Sequence, residues 1–246
     1  MYNFFAAEGS RSGDVYVITG ADFNHIKNVL RMHAGDKILI SENGASHLCE
    51  IESTENDSIL AKILEENYRD TELPIKIYLF QGLPKSEKME LIIQKAVELG
   101  VYAVIPVEMH RSVVKLEDKK KESRRARWQA IAESAAKQSK RNIIPEVMPV
   151  STYKESLAMA KELDLFLVPY ENEKGMIATK EALAKMTRGS SVGILIGPEG
   201  GFEPKEVMGA MEAGGTPISL GSRILRTETA AIASVGMCML HAETEL

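Results

Sequence analysis

Apolar and polar positions change rhythm along the chain near residue 74. Before it, residues 15–19, 37–41 and 46–51 read as short strands and 58–64 alternates apolar and polar as another, and Asn43-Gly44 between the second and third is a hairpin signal. One helix interrupts them over 21–32, with Phe23, Ile26, Val29 and Leu30 at helical spacing. Short strands so closely spaced predict a small β-barrel. Residues 65–74 are polar and end at Pro74, which predicts a boundary between a first domain at 1–72 and a second at 73–246.

After that boundary, strand-length apolar runs alternate with amphipathic stretches. The strands are predicted at 75–80, 101–107, 163–168, 192–196 and 217–220. Helices are predicted over 86–100, with Ser86 as N-cap, over 115–140, over 177–186, from Pro204 to Gly214-Gly215, and from near Thr227 as its cap. Such alternation predicts an α/β domain, a mostly parallel sheet with helices on both faces.

Two loops in this half carry the candidate chemistry. Gly197-Pro198-Glu199-Gly200-Gly201 follows the strand at 192–196, and Leu220-Gly221-Ser222-Arg223-Ile224-Leu225-Arg226 follows the strand at 217–220. Open α/β sheets bind ligands at the carboxyl ends of their strands. The first loop lacks the Gly-Lys-Ser/Thr of a phosphate loop and the G-x-G-x-x-G of a dinucleotide site, and Glu199 repels phosphate. It suits a ligand without phosphates that needs close backbone approach; S-adenosylmethionine, with its cationic sulfonium, fits. In the second loop, two arginines bracket an apolar pair able to hold an adenine.

Charge modifies this picture locally. The net charge is −5, which argues weakly against nucleic acid, yet residues 111–141 hold eleven Lys/Arg against four Asp/Glu, and residues 1–73 hold six against thirteen. A basic run of this kind is either a phosphate-binding surface or the wet face of a helix, and charge alone favours the helix face. No apolar run is long enough to span a bilayer, and the first residues lack the pattern of a signal peptide. The expectation is a cytoplasmic protein, no membrane, with Cys49 and Cys238 as reduced thiols. Five scattered histidines show no ligand spacing, so no metal is expected.

Taken together, Leu195-Ile-Gly-Pro-Glu-Gly-Gly-Phe202 and Leu220-Gly-Ser-Arg-Ile-Leu-Arg-Thr-Glu-Thr-Ala230 resemble the cofactor motifs of the SPOUT methyltransferases. More closely, the chain resembles the RsmE family, which methylates N3 of a uridine in 16S (small-subunit) ribosomal RNA. Gln94-Lys-Ala-Val-Glu-Leu-Gly-Val101, Arg127-Trp128 and the 133–141 segment extend the likeness, and His25-Ile-Lys-Asn-Val-Leu-Arg-Met32 with Gly35-Asp36 is similar to the family's PUA-like RNA-binding domain. Family members often carry arginines before Phe-Phe; here Tyr2-Asn3 stand in that place.

The resemblance implies a SPOUT-type parallel sheet with a trefoil knot, a PUA-like β-barrel, a homodimer, and S-adenosylmethionine as cofactor. By position it implies cofactor contacts at Leu167, Val168 and Pro169, at Ile196, Gly197, Pro198, Glu199, Gly200 and Gly201, and at Leu220, Gly221, Ile224, Leu225 and Arg226. Arg226 and Glu228 are the candidate catalytic pair, Arg226 stabilising charge on the uracil and Glu228 acting as base or as a helix-dipole carboxylate. Candidate RNA contacts are His25, Lys27, Arg31, Lys85, Arg111 and Arg141, and the RNA is met free or within the small ribosomal subunit. Trp128 is read as an anchor of the basic helix onto the sheet rather than a base-stacking residue. Two rivals stand beside this reading: a non-catalytic RNA-binding or ribosome-assembly protein on the same fold, and a nucleotide-dependent enzyme.

Overall fold

The computed structural model describes residues 1–114, 116–173 and 175–246, and at 86 and 118 the backbone alone. The elements run β1 (Asn3–Phe5), β2 (Arg11–Ser12), β3 (Val15–Thr19), α1 (Gly20–Asn24) with a π-helical turn (His25–Val29), β4 (Lys37–Glu42), β5 (Ala45–Thr54) and β6 (Ser58–Arg69). They continue β7 (Lys76–Gly82), α2 (Ser86–Glu98), β8 (Ala103–Glu108), α3 (Asp118–Ser139), β9 (Glu146–Val147), β10 (Ser151–Thr152), α4 (Tyr153–Ala160) and β11 (Leu165–Pro169). The last are α5 (Ile177–Leu183), β12 (Ser191–Ile196), α6 (Pro204–Glu212), β13 (Thr216–Ile218) and α7 (Thr227–Glu245). Two compact units result, Met1–Glu72 with Ala136–Ile144, and Leu73–Ala135 with Pro145–Leu246.

The first unit is a curled, mainly antiparallel sheet in the order β1-β4-β5-β6-β3-β2. The Asn43-Gly44 turn joins β4 to β5, with Asn43 at φ 50. Inward positions of the alternating strands, Tyr16, Ile38, Ile40, Cys49, Ile51 and Ile59, make its core with Ile26 from the π-helical turn. The strand β1 was not expected. It pairs parallel to β4, and Asn3 is buried, its Nδ2 donating to the Arg141 carbonyl at 3.1 Å while its Oδ1 accepts from Ser41 Oγ at 3.2 Å. The residue standing where the family often has arginine thus serves packing. Arg141 is also buried, and its guanidinium grips both oxygens of Glu72, with Nε at 2.9 and 3.0 Å. The expectation of Arg141 at an RNA surface is corrected by this: a guanidinium sunk in the unit and held by a carboxylate does not reach phosphate.

The second unit is a parallel sheet in the order β10-β8-β7-β12-β11-β13, with β9 also paired to β8. β12 lies between β7 and β11, both of which precede it in the chain. Continuous burial along β7, β8, β11 and β12 explains their solid apolar runs, since both faces are covered. Phe80, Ile105, Phe166 and Leu195 fill one face. Against β7 and β12, α7 packs with α2 as its neighbour.

Several boundaries differ from expectation. Ser86 is the first helical residue of α2, with Lys85 in the cap position, and the Ser86 side chain lies outside the described residues. Likewise α7 begins at Thr227, and Arg226 is the cap residue; Thr227 is buried and makes other bonds. The expected start of α3 at 115 also lies outside the described residues. Helix α4 was not expected, although Thr152 and Glu155 close a full capping box at its start. The basic residues of α3 are largely paired: Lys121 with Glu108 at 3.1 Å, Arg125 with Glu122 at 3.2 Å and Arg127 with Glu90 at 2.9 Å. Trp128 is 3% exposed, an anchor and not a stacking platform. No helix among the described residues is long and apolar enough to cross a membrane.

Candidate active site

The parallel sheet ends in a cleft of about 810 Å³, built by the segments that leave β11, β12 and β13 and by the start of α7. Its position follows from the strand order. The loops after β12 and β13 diverge where β12 has entered the sheet beside β11, and their backbones are left to form walls.

Thr227 fixes the two walls to each other. Its hydroxyl donates to the Gly197 carbonyl at 2.7 Å and accepts from Gln81 Nε2 at 3.0 Å. Gln81, next to last in β7, is fully buried and also donates to the Gly82 carbonyl at 2.9 Å. A single hydroxyl therefore joins β7, the glycine loop and the last helix.

Close approach explains two of the glycines. A Cβ on Gly82 would lie 2.8 Å from the Pro198 nitrogen, so glycine lets the loop rest on β7. One on Gly200 would lie 2.8 Å from Arg111 Cβ. Arg111 Nη1 donates to the Gly200 carbonyl at 3.2 Å, bracing the loop from the end of β8. Glu203 stands beside it, 3.8 Å from Arg111 Nε and 3.0 Å from His110 Nδ1. Buried Glu206 receives the His110 N–H at 3.0 Å and the Glu203 N–H at 2.8 Å.

The charged floor of the cleft centres on Lys88, from α2. Its ammonium lies 3.4 Å from Glu199 Oε1 and 3.3 Å from Glu228 Oε2. Glu199 Oε1 also accepts the Lys85 N–H at 3.1 Å. Burial pushes the Glu199 carboxyl up, but the Lys85 N–H, its own N–H and the Lys88 ammonium together outweigh that and leave it below its ordinary value. The other oxygen of Glu199, and Oε2 of Glu228, are buried and accept no hydrogen bond among the described residues.

Most of the expected cofactor residues come together here. Pro169, Ile196, Gly197, Pro198, Glu199, Gly200, Gly201, Leu220, Gly221, Ile224, Leu225 and Arg226 line the cleft. Leu167 and Val168 do not; both are fully buried inside β11, so only the strand's last residue reaches the opening. Arg226 is exposed on the wall, with no ion-pair partner among the described residues, whereas Glu228 does not line the cleft and pairs with Lys88. Among the described residues neither Arg223 nor Arg226 pairs with Glu228, and its carboxylate is held by Lys88. Lys85 and Arg111 are exposed near the loop through the bonds given above. In the first unit, His25, Lys27 and Arg31 are exposed on and after the π-helical turn. Lys27 lies over the Phe23 ring at 4.9 Å and His25 packs edge-on to Phe4.

Sequence reasoning missed Lys88, Gln81, Tyr170 and Met176; of these Lys88, Tyr170 and Met176 line the cleft. Spacing carries no signal for them, since each reaches the site only through the strand order. Among the described residues no group of three His, Cys, Asp or Glu side chains is placed to hold a metal.

The cleft fits S-adenosylmethionine as a group. Its loop backbones approach closely, its walls carry Ile196, Ile224 and Leu225, and the Lys88 ammonium on its floor is taken up by Glu199 and Glu228.

Comparison with known proteins agrees with this geometry. The model of an RNA methyltransferase domain matches residues 71–239, and that of an RNA methyltransferase PUA domain matches residues 18–64. The chain is 42% identical over 235 residues to ribosomal RNA small subunit methyltransferase E of Bacillus subtilis, covering 94% of this chain and 91% of that one. Ribosomal RNA small subunit methyltransferase E from Neisseria gonorrhoeae, solved bound to S-adenosyl methionine, is 31% identical with a TM-score of 0.83, over 98% of this chain and 97% of that one. A putative methyltransferase of Legionella pneumophila in complex with the same cofactor is 28% identical, also with a TM-score of 0.83, over 97% of each chain.

Proposed function

The chain belongs to the family of the ribosomal RNA small subunit methyltransferases E, and from that premise we propose that the atom it methylates is N3 of a uridine in the small-subunit RNA. It is a methyltransferase that uses S-adenosylmethionine on ribosomal RNA. When bound, the cofactor supplies a methyl group already activated on a sulfonium.

The observation that carries the uridine reading is an exposed guanidinium, Arg226, on the cleft wall two residues before Glu228, whose carboxylate Lys88 holds at 3.3 Å. Uridine N3 bears a proton, and its lone pair becomes nucleophilic only as that proton leaves. Glu228 takes the proton, while Arg226 stabilises the negative charge left on the uracil oxygens. Thr227, between them, keeps both on the rigid start of α7. The two glycine loops hold the reacting partners in line and exclude water, and such positioning is worth up to about 7–11 kcal/mol.

N3 lies on the base-pairing edge, so the uridine enters unpaired or splayed out. Lys85 and Arg111 on the cleft side, and His25, Lys27 and Arg31 on the first unit, are assigned to the RNA backbone. The sheet order and the return of α7 onto β7 support a knotted chain in the second unit. Exposed Leu240 on α7 and Leu91 on its neighbour α2 support a homodimer. A ribosomal RNA substrate supports a reaction in the cytoplasm.

Reverse transcription through ribosomal RNA tests the reading. N3 methylation blocks pairing, so RNA from cells that hold the protein gives a stop that is lost on its deletion. An unchanged profile returns the chain to a binding or assembly role. Calorimetry with S-adenosylmethionine against ATP separates the nucleotide-dependent rival.

A further inference from the structure

We propose that Lys88, Glu199 and Glu228 form a charge set that makes the cleft prefer a positively charged sulfur, and so discriminates the cofactor from its demethylated product. The inference rests on reading the cleft as the S-adenosylmethionine site. The three side chains come from α2, the loop after β12 and the start of α7; Lys88 and Glu199 line the cleft, and Glu228 joins them through its pair with Lys88. One ammonium lies between two carboxylates at 3.4 and 3.3 Å, so the set carries a net charge of one negative. Glu199 Oε2 is buried and accepts no hydrogen bond among the described residues, and Lys88 faces only Glu199 Oε1 and Glu228 Oε2, so one ammonium satisfies only part of the acidic pair.

Solvent screens the exposed charges of the cleft more than it screens this set, and half-buried Glu173 adds to its negative side. The side chains of Glu199 and Glu228 are 20% and 15% exposed, whereas Arg223, Arg226 and Glu171 stand in solvent. Partly buried charges act through a lower effective dielectric and over a longer reach. S-adenosylmethionine and S-adenosylhomocysteine carry the same adenine, ribose, carboxylate and ammonium. They differ in one methyl group and one positive charge on sulfur. A net-negative floor therefore favours the first and weakens its hold when the methyl has left, which speeds exchange.

Calorimetry on the full chain measures the dissociation constants of both ligands, and their ratio is the readout. Glu199→Gln and Glu228→Gln each make the set neutral, and are expected to shrink the preference for S-adenosylmethionine about three- to tenfold. Lys88→Met makes it doubly negative and is expected to enlarge the preference by a similar factor. Melting curves identify a variant that fails to fold; if Lys88→Met does, the two glutamine variants alone decide. A purely structural role shifts both affinities together and leaves the ratio constant, which overturns the inference. Absence of any S-adenosylmethionine binding by the unaltered chain overturns instead the reading of the cleft on which the inference rests.

Discussion

The Thr227 hydroxyl donates to the Gly197 carbonyl at 2.7 Å, so the first residue of α7 holds the first residue of the glycine loop. Both groups are buried, and Gln81 Nε2 completes the hydroxyl's bonding from β7. Replacement by valine keeps the shape and removes the hydroxyl. A buried carbonyl then lacks its donor, at about 1–3 kcal/mol. Thr227→Val is expected to lower stability by that amount in thermal melts and to weaken S-adenosylmethionine about tenfold by calorimetry. Thr227→Ser retains the hydroxyl and is expected to retain most of the affinity.

Gly82→Ala and Gly200→Ala separate two kinds of crowding. At Gly82 the new Cβ would meet the Pro198 backbone nitrogen at 2.8 Å, and a backbone atom at the base of the loop has little room to yield. At Gly200 it would meet Arg111 Cβ at 2.8 Å and the Arg111 carbonyl at 3.1 Å, at an exposed turn that moves more freely. Gly82→Ala is expected to cost about 1–3 kcal/mol of stability as well as cofactor affinity. Gly200→Ala is expected to leave the melting temperature nearly unchanged while weakening the cofactor. Equal melting losses for the two would contradict this account.

The alternation of strand and helix after residue 74 was legible because parallel strands buried on both faces read as solid apolar runs, as at β12. Glu199 was legible too, as a carboxylate where a phosphate loop needs lysine. Lys88 was not. It looks like any charged residue in the first turn of a helix, and only the order β7-β12-β11 brings α2 beside the loop that carries Glu199. Strand β1 escaped because its hydrogen bonds come from a non-local parallel partner. Helix α4 escaped despite Thr152-Tyr-Lys-Glu155, because it is short and the residues it buries fully are the small Ser156 and Ala160.

In the first unit, the buried Arg141 guanidinium depends on Glu72, which also accepts the Asn142 N–H at 2.8 Å. Removing one member of a buried pair strands the other's charge and costs about 3–5 kcal/mol. Glu72→Ala is expected to lower the unfolding free energy by that amount in a denaturant titration. Arg141→Lys, which cannot grip both oxygens, is expected to fall between it and the unaltered chain.

Burial pushes the thiols of Cys49 and Cys238 up to about 12. The thiolate is the reactive form, so raising the pKa above the working pH removes it. At pH 8 neither cysteine of the folded chain is expected to react with a thiol reagent over hours, and both are expected to react at once in denaturant. Reaction of either in the native protein at a rate typical of a free thiol would show that its core opens.

Arg226→Ala gives the sharpest division between holding the cofactor and performing the transfer. Arg226 is exposed on the cleft wall next to Thr227 and has no ion-pair partner among the described residues, so its loss leaves the Lys88 set and the glycine loop intact. If it stabilises charge on the uracil, its contribution appears as the N3 proton departs and the methyl moves. Loss of one such donor costs about 10²–10³ in rate. Methyl transfer to small-subunit RNA is therefore expected to fall by that factor, with S-adenosylmethionine affinity by calorimetry within about threefold of the unaltered chain. Equal loss of both would make Arg226 a cofactor residue and leave uracil stabilisation to Arg223. Glu228→Gln complements the test: it removes the proton acceptor and keeps the side-chain shape, so it too is expected to lose transfer while still binding S-adenosylmethionine.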